Sequence, residues 1–373
     1  MAETKLEIAR KMINEVDAQM AELFCRRMEA ARLVAEHKQE RGLPILDPAR
    51  EAAVIERNAQ RIENEEFRSF YISFLQDTMK ISRSYQAKLM EGQRIAYNGV
   101  EGAFAHIAAG RIFPSGQKIA YGSFEEAYRS VERGECDCAV LPIENSTAGE
   151  VGQVIDLLFS GSLHVNAVYD LSVRHNLLTL PGTDLKEIKE VVSHPQALVQ
   201  CSAYLQKHGF ATISSTSTAN AAKQVAESGK KSVAAIASAE TAKLYQLEIL
   251  QENINETTSN ATRFAVVSRI GNQGTQGNSD RTILFFSVRH QVGCLAKAID
   301  IISKYQFNMI TLRSRPVREI PWQYYFHVEI EGNLHDENGK NMLAELAEVC
   351  DTLKVAGTFH NDVRLDETAE ATG

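Results

Sequence analysis

The sequence predicts a multidomain chain in which an all-α unit, an α/β segment and an α+β unit follow one another. Three observations carry this. Residues 1–91 contain no strand-like run, and from Arg94 to about Arg269 short β-branched runs alternate with loop-plus-helix stretches. Beyond a glycine-rich segment the order becomes strand, helix, strand, strand, helix, strand. The length of 373 residues suits two or three domains, and 44% apolar with 24% charged residues is ordinary globular composition. Lys and Arg number 40 against 48 Asp and Glu, a net charge of −8. That balance excludes nucleic acid or a membrane surface as the main partner, since both are held by surplus cations. No run approaches the ~18 to 20 apolar residues of a membrane span, and the first ten residues are too charged for a signal peptide. A cytoplasmic location is expected. The six scattered cysteines are expected to be reduced, buried packing residues. Neither a metal nor a cofactor is expected, because the one close pair, Cys136 and Cys138, sits in a strand-like run without a second pair.

Residues 1–91 divide into three helices, broken near 42–47 by Gly42, Pro44 and Pro48 and again near 63–66. Helix one has apolar side chains at 6, 9, 13, 16, 20, 23, 30 and 34, a seam spaced for burial against other helices. Arg27 lies on that seam, where a cation is costly unless an anion meets it. Lys38 follows eleven residues later, about 20° around the axis and ~16 Å along it, so both cations look into one side of the bundle. Arg10 lies ~25 Å before Arg27 and roughly 100° away in direction, and cannot share that pocket unless another copy of the chain supplies it. Asp47 and Pro48 have the N-cap and first-position chemistry of a helix start, with Arg50 and Glu51 in its first turn. Helix three carries Phe67, Tyr71, Phe74, Leu75 and Met79 along one stripe, and Ser82 and Gln86 then place hydrogen-bonding groups on it. Two readings follow: buried polar residues that fix register, or a pocket for a small polyanion in the bundle core.

Arg10, Arg27, Lys38, Asp47, Arg50, Glu51, Ser82 and Gln86, in that order, resemble the binding set of the all-helical bacterial chorismate mutases. The resemblance covers residues 5–90 and implies an interlocked dimer in which each chain's Arg10 enters its partner's site. It also implies the Claisen rearrangement of chorismate to prephenate, a reaction without proton transfer that needs positioning and positive charge at the breaking ether oxygen. On this resemblance Arg10 and Arg27 hold the carboxylates, Lys38 and Gln86 face the ether oxygen, Glu51 and the Asp47 backbone hold the ring hydroxyl, and Arg50 and Ser82 complete the lining.

In the α/β segment, residues 94–270, four loops end a strand and open a helix, where backbone N–H groups favour anions. They begin at Asn98, Pro142, Ser193 and Ser214. The alternation of elements implies parallel sheets with helical crossovers. The first loop lacks the third glycine of a dinucleotide fingerprint, which excludes a nicotinamide site. Pro142-Ile-Glu-Asn-Ser146, Ser193-His-Pro-Gln-Ala-Leu198 with Gln200 and Cys201, and Thr262-Arg263-Phe264 together resemble the prephenate dehydratases. That family has two periplasmic-binding-protein-like lobes around a cleft. The resemblance implies Thr262 as proton donor to the departing hydroxyl while prephenate loses carbon dioxide and water, with Glu144 and His194 as alternative acids. It implies Arg263 as a carboxylate ligand, and Glu144, Asn145, Ser146, His194, Gln196 and Phe264 as cleft residues. The first loop departs from the family, with Ala103 and Ala105 where relatives carry hydroxyls.

Residues 271–279 form a glycine-rich linker. Residues 280–365 resemble an ACT domain, which implies phenylalanine as effector and Gly293, Leu295, Leu312 and Ser314 as regulatory positions. Relatives have glutamate where this chain has Arg313, a reversal that bears on the strength of inhibition. Residues 366–373 form a frayed acidic tail. The whole is expected to be a bifunctional chorismate mutase and prephenate dehydratase of phenylalanine biosynthesis, inhibited by phenylalanine and at least dimeric. The alternatives are a monofunctional dehydratase with a helical dimerisation arm and a non-catalytic ligand sensor.

Overall fold

The computed structural model describes residues 4–41, 43–257, 259–272, 280–317, 320–360 and 364–365. Most of the expected linker and the expected tail lie outside them. The chain divides into two compact units, Met1–Arg94 and Ile95–Gly373. No helix among the described residues is long and apolar enough to cross a membrane.

The first unit consists of α1 (Lys5–Arg41), α2 (Pro48–Ala59) and α3 (Glu65–Glu91), with α1 and α2 both packed on α3. Asp47 caps α2, its Oδ1 accepting the Arg50 N–H at 3.0 Å, and Asn64 caps α3. The 37-residue α1 is about 55 Å long and outruns the 27 residues of α3, about 40 Å. Its apolar seam therefore stays open within one chain: Leu6, Ile13 and Leu23 are each 58–59% exposed, and of the α1 side chains only Ala31 and Ala35 are buried. Phe67, Phe70 and Phe74 on α3 are exposed as well. Cys25 shares this exposure, and Cys294 and Cys350 are half-buried, so the expectation of six buried cysteines holds only for Cys136, Cys138 and Cys201.

In the second unit the chain builds β1 (Arg94–Asn98), α4 (Phe104–Ile112), β2 (Gln117–Tyr121), α5 (Phe124–Glu132), β3 (Cys138–Asn145), β4 (Gly149–Glu150), α6 (Gly152–Ser160) and β5 (His164–Ser172). It then crosses to a second lobe of β6 (Asn176–Thr179), β7 (Glu190–Ser193), α7 (Pro195–Gln200), α8 (Ser202–His208), β8 (Ala211–Ser214), α9 (Thr218–Ser228), β9 (Val233–Ala237), α10 (Ala239–Leu244) and β10 (Glu248–Gln251). It returns through β11 (Ala261–Ser268). The lobe sheets run β2-β1-β3-β11-β5, with β4 on β3, and β10-β6-β9-β7-β8. They are mixed and not purely parallel. β1 and β3 are parallel, as are β7, β8 and β9, but β11 runs antiparallel to β3 and β5 because it re-enters the first lobe against the direction in which β5 left it.

The chain ends in β12 (Asp280–Val288), α11 (Cys294–Lys304), β13 (Met309–Pro316), β14 (Tyr324–Glu331), α12 (Glu337–Val349) and β15 (Cys350–His360), a βαββαβ unit with sheet order β13-β14-β12-β15. Strand alternation gives this sheet two apolar faces. Leu284, Phe286, Val328 and Ile330 pack under α11 and α12, whereas Ile283, Phe285, Tyr325 and Ala356 join the core of the first lobe with Leu158, Leu163 and Val165. Lys354 crosses the same junction to donate to the carbonyls of Leu158, Phe159 and Gly161 at the end of α6, where a cation answers the unpaired carbonyls. Leu365 is buried on the first lobe and donates its N–H to the Asp170 carbonyl at 3.0 Å.

Where β15 crosses β5, a Cβ on Gly357 would stand 2.0 Å from the Val165 carbonyl oxygen. Backbone cannot yield as a side-chain tip can. Gly357→Ala is therefore expected to destabilise the second unit by about 1–3 kcal/mol, measured as a lower midpoint in urea unfolding.

Candidate active sites

In the helical unit, a cavity of about 170 Å³ is lined by Arg27, Lys38, Asp47, Arg50, Glu51, Ser82 and Gln86, together with Arg83 and the apolar Val34, Ile45, Val54 and Met79. The long α1 supplies Arg27, Val34 and Lys38, the start of α2 supplies Asp47, Arg50, Glu51 and Val54, and α3 supplies Met79, Ser82, Arg83 and Gln86. Arg27 donates to Ser82 Oγ and to the Thr78 carbonyl at 3.2 Å, and burial lowers its pKa from the usual guanidinium value. Lys38 Nζ donates to the Ile45 carbonyl and to Gln86 Oε1 at 3.4 Å. With Oε1 accepting, the Gln86 Nε2–H group is its donor face. Arg83 pairs with Glu51. Sequence reasoning passed over Arg83, although it follows Ser82 directly and lies one turn before Gln86. Arg10 is exposed and is not among the lining residues.

In the second unit a cleft of about 550 Å³ lies between the two lobes. Each of the four strand-to-helix loops contributes, through Asn98, Gly99, Val100 and Ala103, Pro142 and Asn145, His194 and Gln196, and Thr216, Ser217 and Thr218, and β11 adds Thr262 and Phe264. Thr216, Ser217 and Thr218 thus bring hydroxyls from the second lobe, facing a first loop whose Ala103 and Ala105 have none. Asn145 Nδ2 points at Thr262 Oγ1 at 3.0 Å, and also at Asn260 Oδ1 and the Ala261 carbonyl. Its Oδ1 accepts from Thr147 and Ala148, so its orientation is locked. His194 caps α7, with Nδ1 accepting the Gln196 N–H at 3.3 Å.

Glu144, Ser146 and Arg263 are not cleft residues. Neighbouring side chains of a strand point to opposite faces. Thr262 and Phe264 therefore face the cleft while Arg263 faces away, and Asn145 faces it while Glu144 does not. Arg263 instead forms a fork with Glu329 of β14, at 2.8 and 3.0 Å, and Glu144 pairs with Arg313 of β13. Glu144 is thereby removed as a candidate acid. Ser146 binds backbone, accepting the Ala261 N–H at 3.0 Å and donating to the Ser259 carbonyl at 3.2 Å.

Two further cleft residues are Gln200, which the sequence motif includes but to which no role was given, and His175, which was not singled out. Gln200 lies one turn beyond Gln196 on the same helix, and its Oε1 accepts from Asn260 Nδ2 at 3.1 Å and from His175 Nε2 at 2.9 Å. The i,i+4 spacing from Gln196 was a usable signal. His175 is 2% exposed, and burial pushes its pKa down, so it is neutral with Nε2 as donor and Nδ1 as an unpartnered acceptor. Nothing in its sequence surroundings marks it.

The third sheet and α11 border an open cavity of about 940 Å³ whose lining includes Leu295 and Ser314 with His290, Trp322, Tyr324 and Phe326. Gly293 does not line it. It precedes α11 in the left-handed conformation, φ 82°, which suits glycine. Leu312 is 40% exposed and also lies outside the lining, while Arg313 points through the opposite face of β13 toward the first lobe.

Residues 9–87 match the chorismate mutase type II family and residues 95–272 the prephenate dehydratase family. A bifunctional chorismate mutase/prephenate dehydratase of Enterobacter agglomerans is 31% identical over 368 residues, 95% of either chain. Arogenate dehydratase/prephenate dehydratase 2 of Arabidopsis thaliana is 35% identical over 281 residues, covering 73% of this chain and 74% of that one. The solved structure of prephenate dehydratase in complex with L-Phe from Arthrobacter aurescens has a TM-score of 0.67 at 25% identity, over 74% of this chain and 91% of that one. With a cation-lined pocket in a three-helix unit and, later in the same polypeptide, a two-lobed cleft, this chain belongs to the bifunctional chorismate mutase/prephenate dehydratases.

Proposed function

We propose that the chain converts chorismate to prephenate in the helical pocket and prephenate to phenylpyruvate in the cleft. The observation that carries the second step is the Asn145–Thr262 hydrogen bond: Asn145 donates to Oγ1, which turns the Thr262 hydroxyl hydrogen toward the cleft. Prephenate loses its ring carboxyl as carbon dioxide. The electron pair left behind expels the ring hydroxyl, which departs as water with one proton, and the ring becomes aromatic. A threonine is a weak acid, so its contribution is a hydrogen bond oriented at the leaving oxygen, effective because aromatisation drives the step. Gln200, neutral His175, His194, Gln196 and the Thr216–Thr218 hydroxyls surround that position.

In the helical pocket one C–O bond breaks and one C–C bond forms within a single molecule, so the side chains have only to compact the substrate and meet its charge. Arg27, oriented by Ser82, binds a carboxylate, and Lys38 with the Gln86 amide faces the ether oxygen. Glu51 and the Asp47 backbone hold the ring hydroxyl, and Arg50 completes the lining. Arg10 completes the pocket of a second chain, and the exposed seam of α1 is the surface on which two chains interlock. The C-terminal unit acts as an ACT domain that takes phenylalanine in the cavity at Leu295 and Ser314 and lowers dehydratase activity.

Arg27→Ala is expected to lower mutase kcat/KM by about two to three orders of magnitude and leave dehydratase turnover unchanged, while Thr262→Ala does the converse; steady-state assays on both substrates measure this, and a Thr262→Ala chain that keeps its rate moves the role to His194. Mixing inactive Arg10→Ala and Arg27→Ala chains should restore part of the mutase activity through hybrid dimers, and no recovery after verified chain exchange counts against the shared site. Trp322 is the one tryptophan of the chain and lines the third cavity. Phenylalanine titration should therefore change its fluorescence saturably, and an unchanged spectrum would retire the effector assignment.

A further inference from the structure

The hydrogen bond between Asn145 and Thr262 has charged neighbours on the far side of the sheet. Arg263 stands opposite Glu144 where β11 pairs with β3, one residue along from the opposed Thr262 and Asn145. Both charged residues are gripped by the C-terminal sheet. Glu329, 2% exposed, holds the Arg263 guanidinium at 2.8 and 3.0 Å and also takes Arg281 at 3.1 Å. Arg313 pairs with Glu144, and Arg263 lies 3.5 Å from Glu144, so four charges from two domains form a line, Glu329–Arg263–Glu144–Arg313. Burial would raise the Glu329 pKa, but the two guanidinium groups hold it below the usual carboxylate value, so it is ionised.

Two ion pairs thus fasten two adjacent strands at the residues that flank the cleft hydrogen bond. Removing one partner takes away the shortest contact of a largely buried charge, leaving Arg263 only Glu144 at 3.5 Å and Asp170 at 3.8 Å, and frees the strand to shift. A shift of β11 carries the Thr262 hydroxyl with it, since the two residues share one backbone. We propose that Glu329 and Arg313 are positioning residues of the dehydratase reaction, acting through Arg263 and Glu144 on the geometry of Thr262 and Asn145. The C-terminal unit is then a working part of the dehydratase site as well as a sensor. This rests on the reading of Thr262 as the hydroxyl that meets the leaving group. If the pairs only fasten the domains together, their loss lowers stability without changing turnover per folded molecule.

The test uses the full chain with Glu329→Gln, which keeps volume and loses charge, and with Arg313→Ala and Arg313→Lys. Prephenate kcat and KM are measured beside mutase kcat on the same samples, the latter as a fold control from the other unit. Glu329→Gln is expected to lower dehydratase kcat about tenfold with KM within about twofold. Arg313→Ala should lower kcat about threefold in the same sense, with most of it returned by Arg313→Lys. Wild-type kcat in both Glu329→Gln and Arg313→Ala, or a loss that appears only as raised KM, overturns the proposal. Should Glu329→Gln fail to fold, Arg313→Ala decides alone, since Arg313 sits at the more exposed end of the line of charges. A Thr262→Ala chain with full dehydratase activity overturns the Thr262 reading and this one together. An inactive Thr262→Ala beside wild-type kcat in both third-domain variants overturns only the positioning role.

Discussion

Side chains of a β-strand alternate between two faces, and in β11 that rule divides chemistry from scaffolding residue by residue. Thr262 and Phe264 reach the cleft, and Arg263 between them reaches Glu329 on another domain. β3 repeats the division with Asn145 and Glu144. β13 and β14 do the same from the other side: Ser314, Tyr324 and Phe326 border the C-terminal cavity, while Arg313, Tyr325, His327 and Glu329 face the dehydratase lobe. Two strand pairs back to back are therefore the wall between cleft and cavity. The charged residues of that wall have partners, as Arg315 holds Glu150 at 3.0 Å and Asp156 at 2.9 Å, and the His327 ring places Nδ1 2.7 Å from the same Glu150. Buried ions of this kind are costly unless every partner is present, which ties the two domains to one relative arrangement.

The helical unit solves a different problem. Its substrate carries two negative charges, and the chain as a whole carries −8. An extended polyanion would meet that net repulsion, but a small dianion meets only the groups turned inward. Arg27, Lys38, Arg50 and Arg83 converge on a cavity of about 170 Å³ with Asp47 and Glu51 as their counterweights. The net charge of a protein thus bears on large partners and says little about a pocket of this size.

Much of this was legible in the sequence. The order of elements, the start of α2 at Asp47 and Pro48, and the convergence of Arg27 and Lys38 all follow from periodicity and capping chemistry. Arg263, Glu144 and Ser146 were misplaced because contiguous motifs were read as contiguous sites. A motif inside a strand can put only every second residue on one face, and β11 already includes Thr262, Arg263 and Phe264. The mixed sheets were hidden for a related reason: strand direction depends on the chain crossing between lobes and returning, which no local pattern records. The seam of α1 was legible as an apolar stripe, but not that it stays exposed in the single chain. His175 and Gln200 enter the cleft through a hydrogen-bond network that only the fold assembles.

The central claim is that one polypeptide performs two successive reactions in two separate pockets. The most direct measurement supplies the purified chain with chorismate alone and follows chorismate, prephenate and phenylpyruvate over time. Chorismate should decay, prephenate should rise transiently, and phenylpyruvate should accumulate to match the chorismate consumed. Chorismate left intact by a chain that still converts added prephenate would contradict the two-site account and leave a dehydratase with a helical arm.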